Sequence, residues 1–189
     1  DSAHRIPTKT TETTPMSQPV HGGDRAAGKS VTYHNLWDRI RASLSLKSTY
    51  SHPRVREQTA RYARNQAYFD LIAERASPFL YEIVGEVESR NIPMEIALLP
   101  FVESAFTPHA RSREGAVGLW QFMPNTGRSF GLQQDWWFDA RRDPRSSTTA
   151  ALDYLQTLND EFNKDWLVAL AAYNTGSSNV RRAIQRGSF

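Results

Sequence analysis

The residue best placed for acid–base chemistry is Glu103, which directly follows an apolar run at residues 96–102. A carboxyl group among apolar neighbours loses hydration, and this loss favours the neutral acid and raises its pKa. The predicted helix ends here, and its partial negative charge also disfavours a carboxylate. A glutamic acid that stays protonated near neutral pH can donate to a leaving oxygen, such as that of a glycosidic bond. A solvated glutamate at a frayed helix end is the alternative interpretation.

The segment 115–124 carries groups suited to binding a sugar, because its sequence is GAVGLWQFMP. The glycines allow close backbone approach, and the aromatic residues offer flat apolar faces to a sugar ring. Gln121 could hydrogen-bond a hydroxyl or acetamido group as both donor and acceptor. A core position is the simpler prediction for at least one of Trp120 and Phe122.

A third candidate lies at residues 172–174, which end an apolar helical run with a phenol and an amide. The helix is predicted to end directly afterwards, at Thr175 and Gly176. Tyr173 is either a core tyrosine whose hydroxyl is hydrogen-bonded or a residue of the site, and the sequence leaves both open.

Helical periodicity predicts the elements that position these groups. Apolar residues recur at helical spacing from Tyr33 onward, and residues 94–103 are predicted as one helix. Asp165 is a predicted N-cap. Further helix starts are marked by Pro53, Ser77-Pro78, Pro93, Pro124 and Asp143-Pro144. No stretch alternates as a strand would, so the sequence predicts an all-α fold with loops at 104–116 and 131–143.

The chain is predicted to divide into a tail and a folded part. Residues 1–32 are rich in threonine and proline and lack apolar periodicity, which predicts a flexible N-terminal tail. We expect residues 33–93 to form N-terminal helices packed on the core. Residues 94–189 are the predicted catalytic core.

Composition excludes several classes of protein. The 189 residues contain no cysteine, which removes disulfides, thiolate nucleophiles and cysteine zinc sites. The net charge of +3 is spread evenly along the sequence, so no basic stripe predicts nucleic-acid binding. The five histidines lack ligand spacing, so we expect neither a metal nor a cofactor. The apolar runs are well short of the ~20 residues that a membrane-spanning helix needs.

Three motifs, taken in order, resemble the soluble-lytic-transglycosylase family. They are Glu103-Ser104-Ala105-Phe106, the segment 115–124 and Ala172-Tyr173-Asn174, with Ser112 between the first two. The resemblance covers residues 33–189 and is strongest over 94–176. It implies a goose-lysozyme-like helical fold with a groove that binds glycan strands.

The resemblance also implies an enzyme and a reaction. The family cleaves the β-1,4 bond between N-acetylmuramic acid and N-acetylglucosamine in peptidoglycan without water, and leaves a 1,6-anhydro muramoyl end. By resemblance, Glu103 acts as the single acid and then as the base. The 2-acetamido group of the substrate replaces the second carboxylate of ordinary glycosidases. We therefore expect none of the nearby acids to be a nucleophile. Glu114 lies in a polar loop, Asp139 can pair with Arg141 or Arg142, and Asp143 caps a helix.

The substrate-binding roles follow from the same resemblance. Ser112 would orient the acetamido group, and Gln121 and Met123 would line the groove beside the scissile bond. Tyr173 would lie over the catalytic acid and help to fix its proton, and Asn174 would shape the same wall. Ser104 is predicted to be a local cap.

Two alternatives remain open at this point. A goose-type muramidase would use the same fold and glutamate but would hydrolyse the bond with water. A catalytically silent glycan-binding module would keep only the groove.

Full-length members of one subfamily begin with a signal and a lipidated cysteine and end in LysM repeats. This chain contains neither, so we expect the outer-membrane anchor and the repeats in the full-length protein, outside this chain. The resemblance implies a periplasmic, outer-membrane-associated localisation.

Overall fold

The computed structural model of this protein describes residues 33–46 and 52–187, and the predicted tail at 1–32 lies outside them. The described residues form nine α-helices and two short 3₁₀ helices, with isolated bridges but no strand. The all-α prediction is confirmed for this part of the chain. The helices are α1 Leu36–Ala42, α2 Pro53–Ala63, α3 Gln66–Ala76, α4 Leu80–Ser89, α5 Leu99–Ser104, α6 Pro124–Ser129, α7 Pro144–Glu161, α8 Trp166–Thr175 and α9 Ser177–Gln185.

The chain divides into two units, with the boundary between Ala42 and Ser43, and α1 is the described helix of the first. All other helices belong to the second unit. None of the described helices is both long enough and apolar enough to cross a bilayer. The boundary predicted between residues 93 and 94 stays a prediction.

The second unit has a core between α4 and α7, which pack against each other. α4 contributes Ile83, Val84 and Val87, all buried, and α7 contributes the buried Leu152 and Leu155. These residues recur at the three- and four-residue intervals that place side chains on one face of a helix. The helical spacing of apolar residues that the sequence predicts is therefore confirmed for α4 and α7.

The helix predicted at 94–103 is wrong as a single element. Residues Met94–Leu98 form a 3₁₀ helix, and α5 begins at Leu99. The reason is Pro100, which has no N–H to donate and whose ring would clash with the carbonyl four residues earlier in a continuous α-helix. The proline is tolerated in the first turn of a new helix, and this break sets the direction of α5.

Three aromatic rings of α2 and α3 pack against α5. Tyr62 of α2 and the adjacent pair Tyr68 and Phe69 of α3 surround Phe101 of α5, and the Phe69 and Phe101 rings stack with centroids 5.2 Å apart. α3 begins at its own cap, because Asn65 Oδ1 accepts a hydrogen bond from the Tyr68 backbone N–H at 3.1 Å. The aromatic cluster therefore connects the α2–α3 pair to the helix that carries Glu103.

The predicted starts of the C-terminal helices are confirmed. Asp143 Oδ1 accepts from the Ser146 N–H at 2.7 Å at the start of α7. Asp165 Oδ1 accepts from the Leu167 and Val168 N–H groups at the start of α8. α8 packs against both α7 and α9. This packing places Tyr173, in the last turn of α8, against the core of the unit, whereas the next residue, Asn174, is exposed.

Candidate active site

Glu103 lies in the last turn of α5, as predicted. The helix ends because Ala105 takes up a left-handed conformation with φ of 49°, and Phe106 follows with φ of 53°. Left-handed backbone is costly for residues other than glycine, so surrounding contacts must hold it. The buried Phe106 side chain supplies such a contact.

The Glu103 carboxyl group is half-buried and has one hydrogen-bond donor from α8. Asn174 Nδ2 donates to Glu103 Oε1 at 3.2 Å. Burial raises the pKa of Glu103 above its ordinary value. The predicted direction and cause of the shift are confirmed. Val102, its neighbour in the apolar run, is 68% exposed, so contacts with distant residues rather than this neighbour exclude water from the carboxyl group.

Beside this carboxyl group lies a cleft of about 260 Å³. Four of the predicted substrate-binding residues line it, namely Gln121, Met123, Tyr173 and Asn174. Tyr154 of α7 and Thr126 of α6 also line the cleft, and sequence reasoning missed both. No acid is among the residues that line this cleft in the described part of the chain.

The Tyr173 hydroxyl, which was predicted to help fix the proton of Glu103, makes its hydrogen bond elsewhere. It donates to the Trp120 carbonyl oxygen at 2.7 Å, and the direct hydrogen bond to Glu103 belongs to Asn174. Burial raises the pKa of Tyr173 well above its ordinary value, and the nearby charge of Glu103 adds to this effect. Tyr173 therefore stays protonated and ties α8 to the loop before α6.

The loop at residues 110–123 contains a tight turn. Two reciprocal backbone hydrogen bonds between Val117 and Phe122, each 3.0 Å long, close this turn. Gly118 has φ of +88°, and a Cβ atom there would lie 1.8 Å from the Arg141 carbonyl oxygen, so only glycine fits. Gln121 adopts a left-handed conformation with φ of 51°. Its Nε2 donates to the Gly118 carbonyl at 2.9 Å and the Ala110 carbonyl at 3.4 Å. Gln121 can therefore offer substrate its Oε1 as an acceptor, but its donors are already used.

Trp120 and Phe122 are both core residues, with 0% and 2% of their surface exposed. Trp120 Nε1 donates to Thr148 Oγ1 of α7 at 3.0 Å. The core interpretation is confirmed for both. The interpretation of Trp120 as an open face for a sugar ring is wrong, because no part of it reaches the surface.

A buried arginine holds this loop, and its depth was not predicted. Arg141 is 7% exposed, and its guanidinium donates twice to Asp139, at 2.9 and 2.8 Å. Its Nη1 also donates to the carbonyls of Gly115 and Phe122, at 3.1 Å each. Burial acts to raise the pKa of Asp139, but hydrogen bonds and charge from Arg141 lower it overall. The pairing of Asp139 with Arg141 or Arg142 was predicted. The hydrogen bonds to the Gly115 and Phe122 carbonyls show that Arg141 is the arginine that anchors the loop.

The remaining acids near the motifs have the structural surroundings that the sequence predicts. Asp143 caps α7, Asp139 is paired, and Glu114 is exposed in its loop. Among the described residues, no three His, Cys, Asp or Glu side chains come together as a metal site.

The two predicted serines have distinct surroundings. Ser112 Oγ accepts from the Ala116 N–H at 3.2 Å, which leaves its own proton available, and Ser112 is not among the residues that line the cleft. Ser104 Oγ accepts from the Thr107 N–H, as a local cap does. It also donates to the Leu119 carbonyl at 2.8 Å and so joins α5 to the loop at 110–123.

Comparison with known proteins gives one family. Residues 81–188 match the transglycosylase SLT domain. Membrane-bound lytic murein transglycosylase D of Escherichia coli (strain K12) is 48% identical over 151 residues, covering 80% of this chain and 33% of that protein. Soluble lytic murein transglycosylase of the same organism is 26% identical over 181 residues, covering 86% of this chain and 28% of that protein.

Among solved structures, an inactive mutant of the lytic transglycosylase Slt from Pseudomonas aeruginosa is 32% identical. The similarity covers 52% of this chain and 17% of that chain, with a TM-score of 0.45. The chain spans about a third of the length of the curated relatives it matches.

Proposed function

Because this chain belongs to the transglycosylase SLT domain family, we propose that it is a lytic transglycosylase that cleaves peptidoglycan. The bond broken is the β-1,4 link between N-acetylmuramic acid and N-acetylglucosamine, and the product carries a 1,6-anhydro muramoyl end. The observation that carries the proposal is Glu103, a half-buried carboxyl group with a raised pKa, hydrogen-bonded by Asn174 beside the cleft. The relatives named as lytic murein transglycosylases support the substrate class.

In the first step, neutral Glu103 donates its proton to the glycosidic oxygen as the bond from that oxygen to C1 of the muramoyl residue breaks. The raised pKa increases the fraction of protein that holds this proton near neutral pH. The positive charge that develops at C1 is stabilised by the 2-acetamido group of the same sugar. Asn174 Nδ2 then holds the carboxylate that remains, because a hydrogen bond to a charged acceptor is strong.

In the second step, the Glu103 carboxylate takes the proton of the muramoyl C6 hydroxyl while that oxygen attacks C1. One bond forms for the one that broke, no water is consumed, and the acid regains its proton for the next cycle. A two-carboxylate mechanism needs a second acid roughly 5–9.5 Å away. Asp139 is paired with Arg141 and Asp143 caps α7, which supports the use of the acetamido group instead of either acid.

The cleft residues are proposed to bind and orient the sugars. Gln121 Oε1 would accept from a sugar hydroxyl or amide, since its Nε2 is used within the loop. Met123, 43% exposed, would contact the apolar face of a ring. Ser112, which is not among the residues that line the cleft, would donate to the acetamido carbonyl from the neighbouring loop. Tyr173 would act by positioning, because its hydroxyl bonds the Trp120 carbonyl.

The test is an analysis of products by mass spectrometry after digestion of purified peptidoglycan. We expect muropeptides one water lighter than hydrolytic products and without reducible muramic ends. Reducing ends would instead assign a goose-type muramidase. Glu103→Gln should abolish product release and keep the fold, and Glu114→Gln in the exposed loop is the matched control. Retained turnover in Glu103→Gln would remove Glu103 from its role, and no products from the unaltered chain would leave only a glycan-binding module.

The cellular context is part of the same proposal. A peptidoglycan substrate places the protein in the periplasm, and the names of membrane-bound relatives support an association with a membrane. The partners proposed are glycan strands, with the anchor and LysM repeats supplied by the full-length protein.

A further inference from the structure

Three consecutive aromatic residues lie exposed on the loop after α6. Trp136, Trp137 and Phe138 are 80%, 78% and 51% exposed. The two indole rings face each other at a tilt, with centroids 3.6 Å apart and planes inclined by 34°. A contiguous apolar patch on a protein surface costs hydration free energy and is typical of a binding surface. The proposed mechanism uses none of these rings.

The aromatic loop, residues 132–139, is rigidly held. Asp135 Oδ1 accepts from the N–H groups of Trp137 at 2.9 Å and Phe138 at 2.8 Å. The Asp135 N–H donates back to the Phe138 carbonyl at 2.9 Å. Gln134 and Asp139 form a backbone bridge that closes the loop. The backbone that carries the rings is therefore held in one conformation, which lowers the entropy that binding must overcome.

The aromatic loop is joined to the wall of the cleft. Gln134 Nε2 donates to the Pro124 carbonyl at 2.9 Å, at the first residue of α6. The six residues of α6 make a helix about 9 Å long, and its Thr126 lines the cleft. Trp136 follows Gln134 by two residues, which is at most about 7 Å of chain. A ligand that leaves the cleft past α6 thus meets the indoles after a short distance.

The size of the cleft makes such a continuation necessary for a polymer. Its volume of about 260 Å³ is below the range of roughly 300–1,000 Å³ that is typical of sites enclosing a small molecule. A glycan strand of several sugars exceeds this volume, so part of it lies outside the cleft, on the surface next to it. Indole rings are suited to that contact, because they cover the apolar faces of sugars while ring N–H groups stay available to hydroxyls.

We propose that Trp136, Trp137 and Phe138 form a second glycan-binding surface, which holds sugars of the same strand outside the catalytic cleft. The proposal rests on the proposed function for the class of substrate. The charge of the loop favours a sugar over a lipid surface. The segment 132–139 contains two aspartates and no lysine or arginine. Segments that bind anionic membranes carry basic residues beside their aromatic ones.

The test compares binding of variants to insoluble peptidoglycan sacculi by sedimentation, with Glu103→Gln in every protein to prevent digestion. Replacing both Trp136 and Trp137 by alanine should weaken binding about tenfold, the loss expected from two stacking rings. Tyr81→Ala is the matched control, because Tyr81 is an aromatic residue of α4 with 53% exposure. Replacing both indoles by tyrosine should retain most of the affinity, since flat faces remain.

Unchanged binding of the alanine variant, or an equal loss in Tyr81→Ala, would overturn the proposal. Binding of the chain to phosphatidylglycerol vesicles that disappears with the two indoles, while sacculus binding persists, would assign the surface to a membrane and also overturn it. Cleavage of a tetrasaccharide by the double variant, with Glu103 intact, should stay at the unaltered rate. If the unaltered chain cleaves no substrate, the proposed function fails, and the sacculus-binding comparison still decides the role of this surface.

Discussion

The two loops on either side of α6 both carry large aromatic residues, and they treat them in opposite ways. The loop at 110–123 buries Trp120 and Phe122, whereas the aromatic loop at 132–139 leaves Trp136 and Trp137 about four-fifths exposed. Besides its internal hydrogen bonds, the first loop bonds to groups of other elements, such as Thr148 of α7, which accepts from Trp120. In the second, the main hydrogen bonds come from within the loop.

This difference shows how a loop without strands becomes rigid in two ways. A loop that also bonds to groups distant in sequence packs against the core, and its side chains fill space between helices. A loop that is closed by its own aspartate can leave the aromatic side chains at its tip exposed, and these remain available to a ligand. The first arrangement suits the positioning of Gln121 at the cleft, and the second suits an exposed binding surface.

The strongest test of the buried loop is removal of its arginine. Arg141→Met leaves the Asp139 carboxylate and the carbonyls of Gly115 and Phe122 without their donor. Breaking one partner of a buried ion pair costs about 3–5 kcal/mol of unfolding free energy. Chemical denaturation measures the loss.

Arg142→Met is the matched control for this change. Its Nε lies 3.9 Å from Asp139 Oδ2 and its side chain is 35% exposed. An exposed pair of this kind contributes at most about 1 kcal/mol. Equal losses for the two variants would show that Arg141 does not anchor the loop.

A smaller effect is expected at the hydrogen bond that ties α8 to the buried loop. Tyr173→Phe removes the donor to the Trp120 carbonyl while keeping the ring, and an unsatisfied buried acceptor costs about 1–3 kcal/mol. Tyr154→Phe removes the same oxygen from a neighbouring ring whose centroid is 5.3 Å away. Thermal unfolding should separate the two variants, and a larger loss in Tyr154→Phe would contradict the assignment.

The smallest expected change concerns the exposed loop and is local. Hydrogen bonds from the Phe138 and Trp137 N–H groups lower the pKa of Asp135. The folded protein therefore favours the charged form, and this contribution is present above the pKa of the unfolded chain, about 3.9, and is lost as the pH falls through the folded value. We expect the near-UV circular dichroism of the Trp136–Trp137 pair to weaken as the pH falls through the lowered pKa of folded Asp135, which lies below the ordinary value of about 3.9.

Two variants sharpen this expectation. Asp135→Asn keeps an oxygen that accepts both N–H groups, so the dichroism should persist and become independent of pH in this window. Asp135→Ala should lose the signal at neutral pH while the far-UV spectrum of the helices stays unchanged. An intact signal in Asp135→Ala would mean that the loop is held in another way.

Much of the fold could be predicted from the sequence, because helix starts depend on local chemistry. Prolines at the first turn and the capping carboxylates of Asp143 and Asp165 act on residues a few positions away. The direction of the Glu103 pKa shift was also predictable from its apolar setting. The break before Pro100 was not predicted, because the apolar pattern continues through the proline although proline has no N–H to donate.

The all-α class, most helix starts and the residue with the chemistry of a general acid could therefore be predicted from the sequence. The partners of the site residues, and which aromatic residues reach the surface, depend on the tertiary structure. Asn174 and Glu103 are 71 positions apart, and Tyr173 and Trp120 are 53 apart. Such contacts arise only when helices pack, because burial and hydrogen bonding depend on what the whole fold places around a side chain rather than on its neighbours in sequence.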